Sequence, residues 1–125
     1  MNSLIKKAIA ARKNSYAPYS KFRVGAAIET KEGKIYQGCN IENESLGITI
    51  CAERVALFNA ISDGAKKFGR IAIAADTKEP CPPCGVCRQA LLEFAPDIEI
   101  EMANLKGKVR VVKLPSLLPN AFHLK

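Results

Sequence analysis

Two short stretches of this chain carry residue types suited to metal chemistry. Cys51-Ala-Glu53 and Pro83-Cys84-Gly-Val-Cys87 together supply three thiols and one carboxylate. Three thiolates fill three of the four positions around tetrahedral zinc, and an open fourth position separates a catalytic site from a closed structural one. Zinc brings the pKa of bound water down to roughly 7, so a neighbouring carboxylate can take a proton near neutral pH and pass it on. That is the role expected of Glu53. Three thiolates outweigh the charge of one zinc ion, so the site needs positive charge nearby. Arg54 and Arg88, each directly after a key residue, are expected to donate hydrogen bonds to thiolate and tune the metal.

Cys81 leaves rival readings open. With it the run becomes Cys-x-x-Cys-x-x-Cys, part of an iron–sulfur pattern, but Leu91 stands where a further Cys-Pro would begin. Alternatively Cys81 completes a four-cysteine structural zinc module with Cys51, Cys84 and Cys87, which would leave Glu53 without a role. Cys39 reads as a small buried hydrophobe, and His123 belongs to no recognisable motif.

These side chains must be positioned by the elements around them. Leu4, Ile5, Ala8 and Ile9 follow helical spacing behind Ser3 as a candidate cap, giving a helix over about residues 3–14. Arg23–Thr30 and Gly33–Asn40 flank Lys31-Glu32-Gly33 and read as a β-hairpin. Thr49–Asp63 has a helical apolar period, with Gly64 where a left-handed cap belongs. Ile71–Ala75 is a short, continuously apolar strand. A helix over about residues 84–94 and strands over about 98–103 and 109–114 complete the order. The expected fold class is α/β, a three-layer α/β/α sandwich around a mixed five-stranded sheet. Both chemical stretches fall at helix starts, whose partial positive charge favours thiolate.

Composition narrows the class. With 125 residues and no repeat, low-complexity tract or linker, residues 1–125 are expected to form one domain. No apolar run approaches the ~20 residues of a membrane span, and Lys6, Lys7, Arg12 and Lys13 interrupt any signal-peptide core, so no membrane association and a cytoplasmic location are expected. An odd number of cysteines, three of them in one short run, favours metal over disulfides there. The net charge of +7 is spread along the chain without a basic run, which reads as a solvated surface and not a nucleic-acid interface.

Further segments match the order of a known family. Tyr16-Ala-Pro-Tyr-Ser-Lys-Phe-Arg-Val-Gly-Ala-Ala27, Gly38-Cys-Asn-Ile-Glu-Asn43, Thr49-Ile-Cys-Ala-Glu-Arg54, Pro83-Cys-Gly-Val-Cys-Arg-Gln89 and Leu117-Leu-Pro-Asn-Ala-Phe122 resemble the signatures of the small homotetrameric zinc-dependent cytidine deaminases. The resemblance implies one zinc ion per subunit, a nucleoside substrate and a homotetramer with shared active sites. It implies that Phe22 lines the base pocket, that Asn40 and Glu42 bind the ribose hydroxyls, that the Ala52 N–H holds the base carbonyl, and that Phe122 stacks into a neighbouring subunit's pocket. The implied reaction is hydrolytic deamination of cytidine and 2′-deoxycytidine in pyrimidine salvage, with Glu53 carrying protons to N3 and to the leaving amine. The chain departs from the pattern at Glu44, usually a small residue, and at Leu46, usually an aromatic. A related deaminase acting on another cytosine-bearing small molecule is the alternative. Glu42 and Glu44 beside the expected sugar site would repel a phosphate, so a free nucleoside fits better than a polynucleotide.

Overall fold

The structure is a computed structural model that describes residues 1–124. Its core is one sheet of five strands: β1 (Val24–Thr30), β2 (Ile35–Cys39), β3 (Phe68–Ala75), β4 (Glu99–Asn104) and β5 (Val109–Lys113), in the order β2-β1-β3-β4-β5. Only β3 and β4 run parallel; the other neighbours are antiparallel, so the sheet is mixed as expected. The parallel pair needs a crossover. That connection carries α3 (Gly85–Phe94), which brings Pro83-Cys84-Gly-Val-Cys87 back across the sheet.

Alternation along the central strands decides which layer each helix joins. Ala26 and Ile28 of β1, Ile71 and Ile73 of β3, and Ile100 and Met102 of β4 share a core with Ala56, Leu57 and Ala60 of α2 (Ala52–Ser62) and Leu91 of α3. The opposite face presents Ala27, Ala72, Ala74 and Ala103 to Leu4, Ile5 and Ala8 of α1 (Ser3–Ala11). The result is the three-layer α/β/α arrangement.

Two glycines set how closely the helices sit. A Cβ on Gly25 would lie 1.9 Å from the Ala8 carbonyl oxygen of α1, and one on Gly38 would lie 2.4 Å from Ala56 N and 2.6 Å from Ala52 O of α2. No side chain fits at either position. Gly38 thus fixes the depth at which the start of α2 rests on β2.

Several boundaries differ from the sequence-based expectation, each for a tertiary or capping reason. Asn2, not Ser3, caps α1, because its Oδ1 accepts the Ile5 N–H at 2.9 Å while its Nδ2 donates to Glu101 at 2.8 Å. The α-helical part of the first helix stops at Ala11 and tightens into a 3-10 turn over Arg12–Asn14. Thr49–Cys51 are not helical: Ile50 pairs with Ile41, so α2 begins only at Ala52. At its other end Gly64, with φ +94°, makes the expected cap, and the Ala65 and Gly64 amides donate to the carbonyls of Ala60 and Ile61. β3 starts at Phe68, three residues earlier than its apolar run. A short α4 (Leu114–Leu117) and a 3-10 turn at Leu46–Ile48 were not expected. Pro115 at the helix start is the signal that could have revealed α4.

Candidate metal centre and substrate pocket

Cys51 and Cys84 occupy equivalent places in the chain, each the residue immediately before a helix. Cys51 precedes α2 and Cys84 precedes α3, both in extended backbone conformation and neither making a side-chain capping bond. Cys87 lies one turn into α3 and is fully buried. The two helix starts face one another, so the Sγ atoms converge: Cys51 to Cys84 is 3.6 Å and Cys84 to Cys87 is 3.5 Å, with all three within 4.8 Å. Thiolates about 2.3 Å from a tetrahedral zinc ion stand roughly 3.8 Å apart, so these three fit zinc with little adjustment. Cys81 lies outside this cluster. That placement overturns the closed four-cysteine module and leaves a coordination position for something other than protein.

The electrostatics suit anionic sulfur. Hydrogen bonding within the trio, from Cys87 first, and the Arg54 guanidinium lower the Cys51 thiol, while the same pairing and burial hold the Cys87 thiol up. Cys51 also stands at the positive end of α2, which favours its thiolate. Arg54 Nη2 lies 3.6 Å from Cys51 Sγ and donates toward it. Arg88 does not share that role. Its Nε donates to the Pro83 carbonyl at 2.8 Å and its Nη1 to the Leu117 carbonyl at 2.8 Å, so its donors are used to brace the loop ahead of Cys84 against α4. The expectation that Arg88 reaches thiolate is corrected accordingly.

Glu53 lies in the first turn of α2 and is only 5% exposed. Burial raises its carboxyl from 4.5 to about 7, with the charge on Cys51 adding in the same direction. A carboxyl poised there can both accept and release a proton near neutral pH. It faces a cavity of about 200 Å³ whose walls include Phe22, Val24, Asn40, Glu42, Cys51, Ala52, Glu53, Ile73, Cys81 and Cys84. The structure thus gathers Cys51, Cys84, Glu53 and four of the five expected substrate contacts, namely Phe22, Asn40, Glu42 and Ala52, around one space, with Cys87 buried beside Cys84.

Phe122 is the exception. It lies on the flank of α3 beside Gln89, Leu92 and Glu93, largely exposed, together with His123. Asn40 is tied into the chain on both amide atoms: Nδ2 donates to the Phe22 carbonyl at 2.7 Å and Oδ1 accepts the Val24 N–H at 2.9 Å. Two positioning features escaped the sequence reading. The close approach at Gly38 has no local signature beyond a glycine inside a strand. Ser20 and Tyr19, which bind Glu42, sit in the quoted Tyr16–Ala27 segment, where a hydroxyl beside Phe22 was the available clue.

Comparison with known proteins agrees with this geometry. Residues 1–101 match the family model described as the cytidine and deoxycytidylate deaminase zinc-binding region. The chain is 51% identical to a cytidine deaminase of Halalkalibacterium halodurans over 95% of this chain and 91% of the relative. It is 46% identical to one from Sporosarcina psychrophila over 98% and 90%. The crystal structure of cytidine deaminase from Burkholderia pseudomallei superposes with a TM-score of 0.94 at 47% identity, covering 98% of this chain and all of that one. With a family model spanning most of its length and a three-thiol site that fits the metal, this chain belongs to the zinc-binding cytidine and deoxycytidylate deaminase family.

Proposed function

We propose that the protein hydrolyses the exocyclic amine of cytidine and 2′-deoxycytidine, giving the uracil nucleoside and ammonia. The observation that carries this reading is a cluster of three thiols, two of which, Cys51 and Cys84, line a single cavity together with the buried Glu53 carboxyl. Cys51, Cys84 and Cys87 would hold zinc, which when bound supplies the Lewis acidity that makes water acidic near neutral pH. Glu53 takes a proton from water and delivers it to N3 as the hydroxyl adds at C4; it then takes the proton of that C4 hydroxyl and passes it to the amine, so that the C4–N bond breaks, the C4 carbonyl forms and ammonia leaves. Its raised pKa suits both halves of that task. Phe22 packs beside the base. Ala52, first residue of α2, offers to the base carbonyl one of the amides that a helix start leaves free. Arg54 offsets the charge of the thiolates.

The sugar end of the cavity favours a nucleoside over a nucleotide. Glu42 stands there with its carboxyl held below the usual range by the Ser20 hydroxyl, so it is charged at neutral pH and repels phosphate. Glu44 and Leu46 lie on the exposed segment beyond it. We place the enzyme in the cytoplasm, in pyrimidine salvage, with no nucleic-acid or membrane partner. Among the described residues no helix is long and apolar enough to cross a membrane. Apolar side chains exposed at Leu46, Ile48, Phe58, Val86 and Phe122 support assembly as a homotetramer in which Phe122 serves a neighbour's pocket.

The direct test is to follow loss of cytosine absorbance with zinc-loaded protein across cytidine, deoxycytidine, their phosphates and other cytosine-bearing small molecules. Turnover of the two nucleosides and not of the phosphates is expected. Inertness toward both nucleosides with zinc bound would reject the reading.

A further inference from the structure

At the outer end of the cavity, the loop from Ala17 to Phe22 folds around a single carboxylate. Glu42 Oε1 accepts the Tyr19 N–H at 2.9 Å and the Ser20 N–H at 3.1 Å, and Oε2 accepts the Ser20 hydroxyl. That same hydroxyl oxygen accepts the Phe22 N–H at 3.0 Å. Lys21, between them, adopts φ 60° and donates its own N–H to Ala17 O at 3.0 Å. A left-handed lysine is uncommon and persists where its surroundings over-determine it. Here the determinants are the carboxylate on one side and the serine oxygen on the other.

A carboxylate has about four acceptor positions. Three are taken by the loop, which leaves about one for a ligand. Glu42 and Phe22 both line the cavity, one as a polar contact and the other as an apolar wall, and Ser20 Oγ is bonded to both residues. We propose that Ser20 is a positioning residue for the sugar end of the pocket: its hydroxyl aims the last free acceptor of Glu42 at a ligand hydroxyl and fixes Phe22 relative to it. This rests on the nucleoside reading above. Without the hydroxyl, Glu42 keeps only the two backbone bonds on one oxygen and its other oxygen swings free, so a sugar hydroxyl meets an acceptor that must first be ordered.

The test uses zinc-loaded Ser20→Ala and Ser20→Thr proteins assayed on cytidine and on 2′,3′-dideoxycytidine, which lacks the 2′ and 3′ hydroxyls and keeps the 5′ hydroxyl. One lost hydrogen bond to a partly exposed charged acceptor corresponds to about tenfold, so Ser20→Ala should raise KM for cytidine about tenfold with kcat held within about twofold. Its kcat/KM on the dideoxy substrate should stay within about twofold, so selectivity for the hydroxylated sugar shrinks about tenfold. Ser20→Thr keeps the hydroxyl and should remain near wild type. Equal losses on both substrates, an unchanged KM for cytidine, or a Ser20→Ala chain that no longer folds would each overturn the positioning role, because the hydroxyl would then be structural or idle. A wild-type enzyme inert on cytidine would instead overturn the reading of the pocket itself.

Discussion

Exchanging Glu53 for glutamine keeps the side chain's shape and removes its charge, and the structure assigns opposite signs to the effects on activity and on stability. The carboxyl is buried and raised from 4.5 to about 7. Below the lower value it is protonated whether the chain is folded or not, so native and variant proteins should be equally stable there. Above the higher value it is ionised in both states, and the folded state carries the whole cost of burying the charge. At 1.36 kcal/mol per pKa unit, the native protein should lose about 3 kcal/mol relative to the variant between those limits. The gap stays open at higher pH. It should be read by urea unfolding of metal-stripped samples at about pH 4 and about pH 8, where it corresponds to a rise of roughly 10 °C in Tm for the variant at the higher pH. Turnover of cytidine should fall by about 10²–10⁴ while bound zinc, measured by metal analysis, is retained. A variant that is less stable than the native protein at pH 8, or that keeps activity within about tenfold, would refute the reasoning.

Other substitutions probe the remaining parts of the site. Gly38→Ala drives a Cβ into Ala56 N and Ala52 O, so it should destabilise the fold by about 2 kcal/mol or more and weaken zinc retention, since the start of α2 carries Cys51; denaturation and metal analysis read both. Cys87→Ser should abolish zinc binding, whereas Cys81→Ala should leave stoichiometric zinc, because Cys81 lies outside the thiol cluster. In chelator-treated protein, Cys51 should be alkylated at a pH below the ordinary thiol range, because the neighbouring thiols and Arg54 lower it, and zinc should protect it; mass spectrometry after iodoacetamide treatment reports this. Arg54→Gln should reduce activity and leave Cys51 slower to alkylate, whereas Arg88→Gln should act through stability, since its guanidinium braces two carbonyls.

The metal ligands were legible in the sequence because their chemistry is carried by residue type and short spacing: three thiols, a carboxylate two residues from the first, and helix signals at both stretches. The layers were legible from the order of helical and strand segments and from the continuously apolar run Ile71–Ala75. What escaped was set by partners distant in the chain. Thr49–Cys51 looked helical because the period ran through them, but Ile41 captures Ile50 in a bridge. Asn2 and Ser3 are equally good caps by type, and Glu101, far along the chain, selects Asn2. Arg88 stands beside Cys87, yet the carbonyl of Leu117 decides where its guanidinium goes. Phe22, Asn40 and Glu42 were found through family resemblance, but the loop bonds that orient them involve pairings 18 to 23 residues apart that no local pattern records.

The two helices that carry the thiols begin on cysteine, without the oxygen-bearing side chain that usually closes a helix start. Serine or aspartate at either place would satisfy a backbone N–H and add about 1 kcal/mol. The fold therefore forgoes reinforcement at two helix origins in order to present sulfur there, and the lost order has to be made good by the ion. On demetallation the first turns of α2 and α3 should open transiently before anything else, speeding amide exchange at Val55 and Arg88, whose N–H groups donate to the Cys51 and Cys84 carbonyls, while the closed turns stay the main form and the sheet stays protected. Zinc occupancy and local rigidity should then be coupled in this protein: loss of the metal should also loosen the helix turn that carries Glu53.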